Sequence, residues 1–333
     1  MKKSFVLFAF LLVVLNSFGF EKSPTITLVA GSGQPGFKDG NPADLNKPIR
    51  LTPYTNNSVI FADINNHAIR IVTLDGKVTT LAGGPDKEGY EDGPVSTAKF
   101  KSPHGVTYDK KNNKVYVAGA GNHVIRVISI MENGEHQVST LAGIPGISGY
   151  KDGKADSAMF ASPHAIILRN DDEIVVADIG NARIRSIKDG LVTTIAGSGE
   201  TGNQDGLPEH ATFNYAMDLV LDNSDILLAD AGSHLIRKIS PGKEVTTLTL
   251  NDTLSTPHGI AIDESKNIYI ADMGTHRILK IDKDGNVKTI AGSGKIGNRI
   301  EELNKPAALL VHAGYLWIAD LNNHQIKVLR IKN

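Results

Sequence analysis

The stretch Val59-Ile60-Phe61-Ala62-Asp63-Ile64-Asn65-Asn66-His67-Ala68-Ile69-Arg70 decides the architecture, because the chain repeats its pattern six times. An apolar run, an Asp, a short polar turn and an Ile-Arg-like pair return at Gly119–Arg126, Asp178–Arg185, Asp230–Arg237, Asp272–Leu279 and Asp320–Lys327. The spacing inside the phrase never slips: four residues after the Asp position stand His67, His123, Ala182, His234, His276 and His324. A rigid phrase recurring every 42 to 59 residues is one supersecondary unit copied along the chain.

Around each phrase the sequence reads as four short strands. In the second copy these are Gly105–Tyr108, Val115–Ala118, Val124–Ile130 and Gln137–Gly143, separated by turn residues such as Asp109–Asn113. Runs such as Ile174-Val175-Val176-Ala177 and Leu316-Trp317-Ile318-Ala319 are apolar throughout, as in strands covered on both faces. Four-stranded units with both faces covered predict an all-β propeller of six blades. The last copy ends after three strands. The missing fourth has its counterpart at the other end of the chain, where Thr25–Gly31 has the form of the outer strands Val78–Gly83 and Val192–Gly197. Pairing of that N-terminal segment into the last blade would close the ring and leave no open edge. The propeller is expected over residues 25–333, as a monomer.

Composition narrows the setting. The chain has 333 residues, 41% of them apolar, and no cysteine, so it has neither a disulfide framework nor thiolate chemistry. Residues 1–19, with Lys2, Lys3, an apolar run from Phe5 to Leu15 and Ser17-Phe18-Gly19, predict a secretory signal peptide, too short for a stable membrane span. The protein is therefore expected outside the cell or in a periplasm. Taking Lys2 and Lys3 from 35 basic residues leaves 33 against 36 acidic ones, a net of −3 that gives no general attraction to nucleic acid or anionic membrane.

The turns Asn66-His67-Ala68, Asn122-His123-Val124 and Asn323-His324-Gln325 resemble the signature turn of the NHL-repeat family. The linking segment Ala82-Gly83…Asp92-Gly93…Ala98-Lys99-Phe100-Lys101-Ser102-Pro103 resembles one subgroup of that family. The resemblance implies a six-bladed propeller whose loop-bearing face binds a protein, peptide or small molecule. The link before the fifth blade, Asn251–Thr256, is shorter than the others and predicts a more open sector of rim.

Residues present in every blade are expected to build the ring. Asp63, Asp178, Asp230, Asp272 and Asp320, with His67, His123, His234, His276 and His324, read as turn chemistry that satisfies backbone groups. Arg70, Arg126, Arg185 and Arg237 read as partners of carboxylates across blades. The Asp-Gly pairs at 39, 92, 152 and 205 read as turns rather than calcium loops, since they lack clustered oxygen ligands. Function is expected where the blades differ, at the starts of the inner strands, where Ile49, His104, His164, Met217, His258 and Ala307 occupy equivalent positions and Arg50 and Asp218 lie one step further in. Three imidazoles, a carboxylate and a guanidinium around one opening could bind an anionic ligand or a metal.

A second resemblance sharpens the metal reading. Peptidyl-hydroxyglycine α-amidating lyases are similar six-bladed propellers with a channel zinc held by His residues that follow Pro. Carried over by motif, this implies zinc on His104, His164 and His258, with Arg50 and Tyr215 as catalytic candidates, in a zinc-dependent lyase or hydrolase. Here the three histidines come from blades two, three and five rather than from alternate blades. The competing reading is that Pro-His-Gly is a strand opening whose His bonds a neighbouring segment.

Overall fold

The computed structural model describes residues 25–242 and 244–331; the expected signal peptide lies outside them. Six antiparallel sheets follow one another around a central channel. Blade one comprises Pro48–Thr55, Ser58–Asp63, Ala68–Thr73 and Val78–Gly83, from the channel outward. Blades two to five begin at inner strands Pro103–Asp109, Pro163–Arg169, Ala216–Asp222 and Pro257–Ile262. In blades two and three a two-residue strand, Gly93–Pro94 or Gly153–Lys154, adds to the outer edge.

The sixth blade joins the two ends of the chain. Pro306–His312, Tyr315–Asp320 and Gln325–Arg330 form its inner three strands, and Ile26–Ala30 pairs antiparallel with Gln325–Arg330 as the fourth. Gly31 then leaves this strand with φ +99°, as Gly83 leaves the outer strand of blade one with φ +82°. In both places an added Cβ would strike the carbonyl of the turn His, His324 or His67, so the Gly that ends these two outer strands is sterically required.

Second strands are the most buried elements, with every residue of Ser58–Asp63 and of Glu173–Asp178 inside. Their side chains meet those of the adjoining blade. Ala118 and Ile125 of blade two, for example, share one cluster with Ile166, Val176 and Ile187 of blade three. Each such Ile contributes roughly 1.5–3 kcal/mol of burial, which is why the strands read as continuous apolar runs rather than alternating ones.

The shared residues are spent on construction. Asp63 accepts from Asn46 N (2.7 Å), from Asn66 Nδ2 (2.7 Å) and from Arg70 Nη1 (2.7 Å). Asp178, Asp230, Asp272 and Asp320 hold the segment ahead of their own inner strands in the same manner. In blade two Gly119 replaces the Asp, and Asn122 Oδ1 takes Lys101 N instead. The arginine row was expected to pair across blades. Instead Arg70 joins Asp63 to Asp39 in the incoming link, and Asp39 in turn accepts from Thr80 N of the outer strand, so the brace stays within one blade. Asp92, Asp152 and Asp205 repeat this with Arg126, Arg185 and Arg237, which explains the Asp-Gly pairs without calcium.

Four of the five turn histidines add a polar latch between adjacent blades. All five occupy the left-handed region, with φ from 51° to 61°, at the ends of their turns. Nδ1 of His67, His123, His276 and His324 accepts, at 3.1 Å, from the backbone N–H of Ser102, Ser162, Lys305 and Lys47, the residues just ahead of the next inner strand. Two junctions lack this latch, and both flank blade four. Ala182 cannot reach Tyr215, and His234 is exposed while Thr256 N donates to Asp272. The short link at residues 251–256 coincides with an outer strand cut to Val245–Thr247.

Candidate functional site at the channel mouth

Each inner strand carries a bulge where it enters the channel, and the bulge sets which side chain is left free of the ladder. In blades two, four, five and six the extra residue is His104, Met217, His258 and Ala307; in blade three the break spans His164 and Ala165. Blade one differs. Ile49 pairs with Ala62 and is buried in the core, and the extra residue is Arg50, with φ 43°. The expectation of Ile49 at the mouth is thus corrected by one position. A bulge moved by one residue reverses which side chain faces the channel.

Asp218 of blade four reaches across the ring to Arg50 of blade one, the opposite blade, in an ion pair that spans the channel. They are only 6% and 5% exposed. Asp218 also accepts from Leu219 N (2.7 Å) and Ile260 N (3.0 Å). Burial outweighs these partners and pushes its carboxyl up to about 6. Burial likewise holds the Arg50 guanidinium below its ordinary value, against the pull of Asp218. Arg50 Nη1 meets the Asp218 carboxylate directly as an ion pair, and Nε, walled off from solvent, has no acceptor.

The imidazoles lie around this pair. The rings of His104 and His164, from adjacent blades, tilt against each other with centroids 3.9 Å apart. His164 Nδ1 donates to Ser162 O (2.9 Å), and His258 Nδ1 donates to Ala307 O of blade six (2.8 Å). Burial pushes His164 down to about 4 and His258 down to about 3, and lowers His104 strongly, with His164 the next contributor. All three are neutral at physiological pH, and His164 and His258 keep Nε2 as an acceptor. The residue after the His in blades two and five, Gly105 or Gly259, lies so close to the neighbouring inner strand that a Cβ would meet His164 O or Ala307 O. The Pro-His-Gly opening therefore has a packing cause, and the His258 bond to the adjoining strand matches the structural reading of that motif. Met217 is half-buried in its bulge, and Tyr215, at φ 59°, leaves its ring 55% exposed beside it.

The residues do not fit the zinc site implied by the lyase resemblance. Among the described residues no group of three or more His, Cys, Asp or Glu is placed to hold a metal. His164 and His258 each donate Nδ1 to a carbonyl and keep Nε2 available, as a metal-ligating imidazole would, but His104 and His164 lie ring against ring.

Along the channel lies a cavity of about 320 Å³, with Arg50 and Asp218 in its wall. It is lined by the same part of every inner strand: 51–53, 106–107, 166–168, 219–221, 260–262 and 309–311. Nearly all of these side chains are aliphatic. Sequence reading missed the cavity, although the apolar inner strands implied its walls.

Comparison with known proteins agrees with this fold. The NHL repeat family model matches residues 254–281, the turn phrase of blade five. The chain is an NHL-repeat propeller. It is 31% identical to NHL repeat-containing protein 2 of Bos taurus over 87% of this chain and 47% of that protein, and 29% identical to its Homo sapiens counterpart over 82% and 45%. Protein SUPPRESSOR OF QUENCHING 1, chloroplastic, of Arabidopsis thaliana is 28% identical over 73% of this chain and 26% of that protein. The chain thus spans about half the length, or less, of the curated relatives it matches. Among solved structures, a Bacteroides thetaiotaomicron protein of unknown function superposes with TM-score 0.68 at 20% identity, covering 92% of this chain and 76% of that one. A gluconolactonase of Xanthomonas campestris does so with 0.59 at 12%, over 86% and 87%. Virginiamycin B lyase of Staphylococcus aureus gives 0.58 at 15%, over 89% and 98%. Identities this low speak for the fold alone. Among the described residues no helix is long and apolar enough to cross a membrane.

Proposed function

We propose that this NHL propeller is an exported binding module that recognises its ligand at the channel mouth, on the face that carries the blade links. The supporting observation is the inequality of the bulge residues. Asp and Arg of the repeated phrase and four of its five histidines are committed to braces and latches, whereas Arg50, His104, His164, Met217 and His258 differ from blade to blade and surround one opening. Neutral imidazoles that keep an acceptor nitrogen suit a ligand bearing hydroxyl or amine donors, and the exposed ring of Tyr215 offers a stacking face beside them.

Ligand-observed NMR with a fragment library tests this reading. Hits bearing donors are expected on the wild type and should weaken at least tenfold in His104→Ala/His164→Ala. Hits that bind the double variant equally well place recognition elsewhere. Metal analysis of the purified protein separates binding from zinc chemistry: the geometry predicts zinc well below one equivalent. A full equivalent lost in the same double variant would restore the lyase reading. Export is tested by the N-terminus of the secreted protein, expected within a few residues of Gly19; an intact Met1 in the mature protein overturns it.

A further inference from the structure

We propose that blade four is the movable sector of the ring, pinned at the channel by Asp218 and opening there as a unit when that pin is released. Three observations carry this. First, the polar latch that joins other blades is absent on both sides of blade four. Ala182 stands where the latching His would be. Tyr215 N, unlike Lys47 N, Ser102 N, Ser162 N, Thr256 N and Lys305 N at the equivalent entrances, has no hydrogen-bond partner among the described residues. On the other side His234 is exposed and Thr256 N turns to Asp272 of its own blade. The outer strand Val245–Thr247 has three residues, against five or six in the other blades.

Second, a side chain replaces the close approach of inner strands. At equivalent positions blades two, three, five and six have Gly105, Ala165, Gly259 and Ala308, whereas blade four has Asp218. Gly105 and Gly259 let adjoining backbones meet, since a Cβ there would collide with His164 O or Ala307 O. In blade four the carboxylate takes that place: Ile260 N of blade five donates to Asp218 Oδ2 at 3.0 Å, and Arg50 of blade one meets the same oxygen. One side chain thus holds blade four to two other blades. Third, the contact at the far end of the same strand lies on the surface. Lys266 of blade five meets Asp222 at 2.6 Å with side chains 48% and 26% exposed, where ion pairs contribute little. Leu219 and Leu228 pack on Val175 and Ala177 of blade three, and Leu227 and Ala229 on Ile260 and Ile270 of blade five. Apolar burial is non-directional, so it keeps blade four in the ring while the directional contacts of its inner strand converge on Asp218. Met217 lies in that strand and Tyr215 just ahead of it, so opening displaces one side of the channel mouth. The inference stands apart from ligand binding there, and either can fail without the other.

The test is native-state hydrogen exchange at low denaturant, read amide by amide in NMR spectra. In the wild type the ladder amides of Ala216–Asp222 and Asp225–Asp230 should exchange together, at least about tenfold faster than those of Pro103–Asp109 and Lys114–Gly119 in blade two. Asp218→Asn, which keeps the shape of the side chain without its charge, should speed blade four by about tenfold more and leave blade two within about twofold. Ala182→His should slow both of these blade-four strands. Equal exchange of blades two and four in the wild type overturns the proposal. So does an Asp218→Asn effect spread evenly over the ring, or an Ala182→His effect confined to the Tyr215 amide. The wild-type and Ala182→His readings stand even if the Asp218 variant does not fold.

Discussion

At the residue scale the channel mouth is governed by desolvation. His258, with burial as the main cause, is held at about 3, whereas in the unfolded chain its imidazole takes a proton near 6.5. Between those values the unfolded chain binds more protons, so the stability present above about pH 6.5 is lost as the pH falls. Asp218 acts in the opposite sense: its folded value near 6 lies above the ordinary 3.8, so its ionisation costs stability as the pH rises through that window. His258→Leu should therefore flatten the dependence of urea stability on pH between about 6.5 and 4, by at most about 1.4 kcal/mol per pH unit for one proton. An unchanged slope would show that this imidazole is not held neutral. Arg50→Met leaves the Asp218 carboxylate without its cation and should cost about 3–5 kcal/mol at pH 7.5, while Arg50→Met/Asp218→Leu should recover most of that. Equal losses in the single and double variants would mean that the pair is not coupled across the channel.

At the element scale, blades are held together by packed faces and, at four junctions, by a His nitrogen on the next strand's entrance. Such a bond contributes about 0.5–1.5 kcal/mol. His67→Ala should lower stability by about that amount without loss of fold. The 3→4 junction offers the reverse experiment. Ala182 has φ 49° and Tyr215 φ 59°, the same backbone pose as the latched positions. Ala182→His should install a fifth latch, slow amide exchange at Tyr215 and raise stability by about 1 kcal/mol. In the wild type the Tyr215 amide should exchange faster than those of Ser102, Ser162, Lys47 and Lys305; equal rates would show that the His nitrogens do not protect them.

At the scale of the molecule, cooperativity rests on the sixth blade, where the chain's two ends form one sheet through Ile26–Leu329, Thr27–Val328 and Leu28–Lys327. Removing residues 25–31 exposes the edge of Gln325–Arg330 and uncovers the cluster that includes Ile26, Leu316, Ile318 and Leu329. The expected outcome in calorimetry is a single transition at a clearly lower temperature, because loss of the outer strand weakens closure and every blade leans on two neighbours. An unchanged melting temperature would show that closure does not depend on this strand.

The six blades, their four strands, the closure by Thr25–Gly31 and the separation of construction from difference were all legible along the chain. They rest on local repetition: apolar runs, turn residues and fixed offsets are properties of neighbouring residues. Other features required the closed ring. The repeats aligned Ile49 with His104, but one bulge sits a residue later in blade one and turns Arg50 to the channel instead, since strand register follows from pairing and not from spacing. The histidine phrase was readable as turn chemistry, yet its acceptor nitrogen serves the next blade, about 35 residues away for His67 and 277 for His324. Arg50 and Asp218 face each other only because blades one and four are opposite in a ring of six. The charge of that pair, its burial and the cavity it lines follow from the packing of all six inner strands around one axis, which no local pattern encodes.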